Sequence, residues 1–172
     1  DDSARDRLLV GSRYGISVID PFGGTASLHE LPSGMEMHTM VRWSPDDSDF
    51  LIIGSNRGLH IISLENGLPQ MDSISESDLG PVESIYPLDT GSGDLDLILF
   101  GNRSAWTATV AVQGDGAEAS VGEAVLSAAM TDMLVDSEAD VLSAVHVPMF
   151  GRGPLLLIGT DAGLIAWNTT DG

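Results

Sequence analysis

Short apolar runs recur along the chain at residues 8–10, 51–53, 97–100 and 155–158, each closed by a glycine-containing turn. They are rich in branched residues and bounded by turn formers, the pattern of a strand buried on both faces. The turns read GSRYG, GSNRG, GNRSA and GTDAG, and a second apolar run follows each, at 16–19, 59–64, 106–112 and 164–167. Four β-hairpins are therefore predicted. The first glycine of each is Gly11, Gly54, Gly101 and Gly159, at intervals of 43, 47 and 58 residues. The second small residue, Gly15, Gly58, Ala105 or Gly163, falls four positions later. This spacing suits a type I turn closed by a left-handed residue in a bulge, where glycine escapes the Cβ clash. Ala105 breaks the rule: either its turn has another shape or it carries about 1 kcal/mol of strain.

The similarity extends past the hairpins. Polar turns lead to expected outer strands near 26–31, 70–74 and 117–121. Upstream of three hairpins, "VRWSPDDSD", "ESIYPLDTGSGD" and "SAVHVPMFGRG" read as inner strands ending near a proline, which cannot donate to a ladder. Four antiparallel strands at a period of about 40–50 residues make a β-propeller blade. The stretches "LLVGSRYGISVIDPFGG" and "LLLIGTDAGLIAWNTTDG" resemble blades of the quinoprotein-dehydrogenase-like propellers, whose pyrroloquinoline-quinone-type repeats share this layout. The resemblance covers all four units. It implies an all-β propeller; the tryptophan-docking sequences and cofactor site of that group's enzymes have no match here, so it implies no cofactor.

The expected domain is a single propeller, or a segment of one, over residues 1–172, with blades at about 7–34, 35–80, 81–122 and 140–172. The first unit lacks its inner strand and the last its outer strand. The reading is a window from a longer propeller, or a chain that completes its ring with a partner such as a second copy. The extra length of the third interval lies around "VGEAVLSAAMTDMLVDSEAD", where Val121, Val125, Ala128, Ala129 and Met133 follow helical spacing. An inserted helix over 121–137 is expected, serving either as a lid or docking element or as cover for a sheet edge.

Charge changes the picture of partners. The chain has 26 acidic and seven basic residues, all seven of them arginine, for a net charge of −19. Such a surface excludes a general nucleic-acid binder and docking on anionic lipid. It is best tolerated in salt, as in a halophilic or marine source, outside the cell or in the cytoplasm of a salt-accumulating organism. No apolar run reaches the ~18 residues of a membrane span. Cysteine is absent, which removes disulfides, thiolate catalysis and Cys-ligated zinc.

Candidate chemistry is sparse. Asp89, Asp94 and Asp96 in "LDTGSGDLDLILFGN" resemble a calcium loop of integrin-type propeller repeats, but Gly91 and Gly93 occupy carboxylate positions; a solvated turn is the alternative. Asp46–Asp49 reads as an ordinary turn. His29, Glu30, Glu36 and His38 could form a metal site or two unrelated polar pairs, and His60 and His146 fall on expected strands. No nucleophile elbow is present, and without lysine there is no phosphate loop. Asn102 and Asn168 open glycosylation sequons. Arg13, Arg57 and Arg103 all fall in hairpin turns, so a propeller would set them on one face, as a rim for a carboxylate, a phosphate or an acidic partner segment; the alternative is that each pairs with a nearby Asp. The functional expectation is a non-enzymatic propeller module that binds a protein or small anionic ligand. The rival is a propeller enzyme, quinone-dependent or hydrolytic, with its site on the channel face or on missing blades.

Overall fold

The computed structural model describes residues 7–45, 48–72, 74–76, 79–88, 94–113, 118–147 and 155–168. The chain is all-β with one helix, its strands gathered into four antiparallel sheets that follow one another in sequence. Sheet 1 comprises β1 (Leu8–Ser12), β2 (Gly15–Asp20) and β3 (Thr25–Glu30). Sheet 2 runs β4 (Met37–Trp43), β5 (Phe50–Ser55), β6 (Gly58–Glu65) and β7 (Leu68–Pro69), with β8 (Ser75–Glu76) also pairing with β6. Sheet 3 runs β9 (Ser84–Leu88), β10 (Leu95–Gly101), β11 (Ser104–Gln113) and β12 (Glu118–Val121), with β13 (Val125–Leu126) pairing with β11. Sheet 4 comprises β14 (Val141–Val147), β15 (Leu155–Thr160) and β16 (Gly163–Asn168). No helix among the described residues is long and apolar enough to cross a membrane.

Every expected hairpin forms, and the period-2 alternation of its strands sorts side chains onto two opposite faces. At each junction one face of a sheet meets the opposite face of the next. Leu9 and Ile16 of sheet 1 pack with Leu51, Ile53 and Ile62 of sheet 2. On the far side of sheet 2, Ile52, Leu59 and Ile61 pack with Leu97, Leu99 and Ala108 of sheet 3. The far side of sheet 3 offers Ile98, Phe100 and Ala105 to Leu156, Ile158 and Trp167 of sheet 4. Three cores thus sit between four sheets. At the two ends of the series burial on both faces fails: in β1 only Leu9 is partly buried, and β15 alternates half-buried with buried positions.

The turns resolve the question raised by Ala105. In the second and fourth hairpins Gly58 (φ 117°) and Gly163 (φ 144°) adopt the left-handed conformation expected after two turn residues. The third hairpin differs. Its loop is Asn102-Arg103 between the paired Gly101 and Ser104, and both loop residues have positive φ, 49° and 58°, as in a type I′ turn. Ala105 lies in regular strand opposite Phe100 and carries no strain of this kind. Structurally, then, Phe100 takes the place of Gly11, Gly54 and Gly159, and Gly101 takes the place of Ser12, Ser55 and Thr160.

The helix corrects a second expectation. It spans Ala128–Asp136, not 121–137, because Val121 and Val125 belong to β12 and β13. Helical spacing and strand pairing competed for this stretch, and pairing with β11 won its first part: Leu126 lies opposite Trp106 and Val125 opposite Thr107. Met130 and Leu134 of α1 are buried against Phe100, Ala105, Leu156 and Ile158. The phenylalanine in a glycine position thus packs in one core with Met130 and Leu134 of α1 and with Leu156 and Ile158 of sheet 4. The outer strand expected at 70–74 is also displaced: β7 ends at Pro69 and β8 begins at Ser75. Pro69 has no N–H to extend the ladder.

Candidate functional site

The hairpin turns carry the chain's recurring polar contacts. Ser12 Oγ donates to the Gly15 carbonyl (3.0 Å), Ser55 Oγ to that of Gly58 (3.3 Å) and Thr160 Oγ1 to that of Gly163 (2.9 Å). Ser55 Oγ also accepts the Arg57 N–H (2.9 Å) and lies 2.7 Å from His60 Nε2, with both side chains fully buried. A serine–histidine pair sealed in this way braces the turn from beneath.

A second contact ties each of two turns to the segment entering its sheet. In the second unit the Asn56 N–H donates to the Glu36 carbonyl (3.1 Å), and the Glu36 N–H donates back to Asn56 Oδ1 (2.9 Å). The fourth unit repeats this with Asp161 and Asp140, at 3.2 and 2.9 Å. The carboxylates of the same two entry residues are held by arginine from the preceding unit's turn. Arg13 Nη2 donates to Glu36 Oε2 (2.5 Å), and Arg103 Nε to Asp140 Oδ1 (3.2 Å). The hydrogen bond that Arg13 donates to Glu36, then the charge of Glu36, raises the Arg13 pKa above its ordinary value. One residue is therefore clasped from two sheets at once, at the junction of units 1 and 2 and again at that of units 3 and 4. The residues that make this contact are visible in GSNRG and GTDAG, where Asn or Asp takes the first loop position.

Arg57 is placed differently. Its Nη2 donates to the Ser33 carbonyl (2.9 Å), on the segment that also carries Glu36. Arg13 and Arg57 thus flank one connecting segment, while Arg103 engages a different one. Beside Arg13 a cleft of about 330 Å³ opens between β1 and β4, lined by Gly11, Ser12, Arg13 and the 37–40 stretch. His38, exposed, lines it where the pairing of β4 with β5 slips between Met37 and Thr39. Arg13 also lies 5.4 Å from the centroid of its neighbour Tyr14.

The metal expectations fare unevenly. Asp89 lies outside the described residues; Asp96 Oδ1 accepts the Thr109 hydroxyl at 2.6 Å. His29 Nε2 contacts Ser27 Oγ (3.2 Å), and Glu36 is engaged by Arg13. Among the described residues no three histidine or carboxylate groups gather as a metal site would require. Asn102 sits at a hairpin tip, while Thr170 of the Asn168 sequon lies outside the described residues.

The double contact of Asn56 sets an expectation for stability. Its side chain accepts from Glu36 N–H and donates to the Gly34 carbonyl (3.1 Å). Asn56→Ala loses both hydrogen bonds, a cost of about 1–2 kcal/mol, and thermal melts should fall by about 2–8 °C for a chain of this size. A melting temperature unchanged by the substitution would mean that water replaces the clasp without loss.

No protein-family model matches the chain, and no curated protein matches it.

Proposed function

We propose that the chain is a non-enzymatic binding module, built as a β-propeller or a segment of one, of the quinoprotein-dehydrogenase-like kind. Four consecutive antiparallel sheets with three shared cores support this architecture. The bound group is a carboxylate or phosphate, on a small anion or on an acidic segment of a partner protein. The observation that carries the reading is the cleft beside Arg13, whose side chain keeps 62% of its surface exposed while contacting Glu36. An exposed ion pair of this kind is held weakly. An incoming carboxylate can therefore share the guanidinium fork, which offers five donors. Arg57 donates to the Ser33 carbonyl and Arg103 pairs with Asp140, and neither lines this cleft.

Titration with inorganic phosphate and, separately, a glutamate-rich peptide, at constant ionic strength, tests the reading by amide chemical shifts. Saturable shifts are expected at Gly11, Ser12 and Thr39 for at least one probe. Arg13→Ala should abolish them, and Arg103→Ala should leave them intact. Absence of saturable shifts with both probes, or shifts indifferent to Arg13→Ala, would refute the site.

A further inference from the structure

The four sheets repeat one arrangement closely enough for their side chains to be matched position by position. Leu8 of β1 corresponds to Leu51, Leu97 and Leu156; Val10 corresponds to Ile53, Leu99 and Ile158. These positions form the face with which each of sheets 2, 3 and 4 receives the sheet before it. In those three sheets all six side chains are fully buried. In sheet 1, Leu8 is 56% exposed and Val10 42%, and Leu28 beside them is 60% exposed. The opposite face, which meets the following sheet, shows the same contrast. Ile16, Leu59 and Ala105 are fully buried, yet their counterpart Leu164 in sheet 4 is 71% exposed, with Val145 of the same face at 56%.

The chain therefore carries one unmatched face of each kind, at opposite ends of its series of sheets. They are complementary: one is the receiving half of a junction and the other the inserting half. Both are largely apolar and carry no carboxylate at their centres. Leu8, Val10, Ile19 and Leu28 surround Ser17 on the first, with Glu30 only at its rim, and Val145, Leu157, Leu164 and Ala166 form most of the second, with Ser143 and Asn168 toward its edges. In a chain of net charge −19, two sheet faces free of carboxylates at their centres are where a second negative chain can approach at least repulsion. We propose that two copies of this chain associate head to tail, sheet 4 of each packing on sheet 1 of the other, to form two further junctions of the kind found three times within the chain.

Area favours the closed pair over a single contact. A face three strands wide and six residues long measures about 14 by 20 Å, so one junction covers about 300 Å² on each side. Only two junctions together approach the ~1,200 Å² of a stable interface. The proposal is independent of the cleft beside Arg13, which lies on the turns and not on these faces.

Light scattering coupled to size exclusion in about 1 M NaCl, where charge repulsion is screened, should give twice the 18.0 kDa of one chain at high concentration. Leu8→Asp and Leu164→Asp each break both junctions and should each give a monomer with an unchanged circular dichroism spectrum, since both positions are exposed. Mixing the two variants restores one intact junction, between sheet 1 of the Leu164→Asp chain and sheet 4 of the Leu8→Asp chain. The mixture should pair, more weakly than the wild type. A wild type that stays monomeric up to about 200 µM, in the affinity range of weak association, would overturn the proposal. So would a dimer that survives either substitution.

Discussion

Melts of the chain at pH 7 should collapse as sodium chloride is lowered from about 1 M to about 0.01 M, a range over which the Debye length grows from ~3 Å to ~30 Å. The magnitude follows from the net charge of −19. Spread over a folded chain of radius about 20 Å, and compared with an unfolded coil nearly three times larger, these charges make folding less favourable at low salt by about 10 kcal/mol. Whole-domain stabilities are about 5–15 kcal/mol, so the chain should be largely unfolded at the low end of the range. Ion pairs such as Arg13–Glu36, Arg42–Asp49 and Arg103–Asp140 each use one arginine, and seven arginines cannot balance 26 carboxylates. The effect should fade as the pH approaches the isoelectric point of about 4.1, where the net charge vanishes. One local term runs the other way. The Asp20 carboxylate accepts N–H groups of Gly23 (2.7 Å) and Phe22 (2.9 Å), which hold its pKa below the usual value. A depressed native pKa contributes stability above the unfolded value of about 3.9 and loses it as pH falls through the native one. This small turn therefore weakens in the acid range where global repulsion is relieved. A melting temperature that does not move with salt at pH 7 would mean the charges are too dispersed to matter.

Continuous apolar runs closed by glycine-containing turns made the hairpins legible, because a strand covered on both faces is apolar at successive positions. Matched faces were not legible to the same degree. Leu8 and Leu51 look alike in sequence and differ in exposure by 56% against 0%, because burial is decided by a neighbouring sheet that local pattern does not name. The third turn was misaligned for a related reason. Gly101 matches Gly11 in the string of letters, but the strand pairing sets Phe100 there, where it packs with Met130 and Leu134 of a helix that the local pattern does not name. The arginine turns were legible as a set, while their partners were not. Glu36 and Asp140 lie 23 and 37 residues away along the chain, at positions that only the stacking of successive sheets brings near. Of the cleft's lining, Arg13 and His38 stood out in the sequence as chemistry-bearing residues, but only the packing of β1 beside β4 brings them to one cavity with Gly11, Ser12 and Met40.

Gly101→Ala is expected to be among the most damaging single-methyl additions at the described glycines. A Cβ at this position would overlap the Pro81 carbonyl oxygen, far inside contact distance, and it would crowd Val82 Cα at 3.3 Å. The obstacle is backbone, and that backbone is pinned. The Val82 N–H donates to the Ser55 carbonyl (2.9 Å), the Glu83 N–H donates to the Phe100 carbonyl (2.8 Å), and the Val82 side chain is fully buried in the core between sheets 2 and 3. Gly54 presses on the same segment from the other sheet, where an added Cβ would lie 2.8 Å from the Val82 carbonyl oxygen. The connection between the two sheets thus runs through a slot with a glycine on either wall, and relief on one side is blocked by the other. Overpacking against so fixed a neighbour costs about 3 kcal/mol or more, which lowers the melting temperature by about 6–12 °C in a chain of this length. Gly11 supplies the control. An added Cβ there meets Met37 Cε at 2.8 Å, the far end of a flexible side chain that can swing aside, so Gly11→Ala should melt within about 3 °C of the wild type. Gly80→Ala, with nothing within 4 Å, should be neutral or slightly stabilising through the unfolded state. Circular dichroism melts of the three variants in about 1 M salt, where charge repulsion is screened, decide the matter. If Gly101→Ala and Gly11→Ala melt together, the Pro81–Val82 segment yields easily and the slot imposes no constraint on the junction.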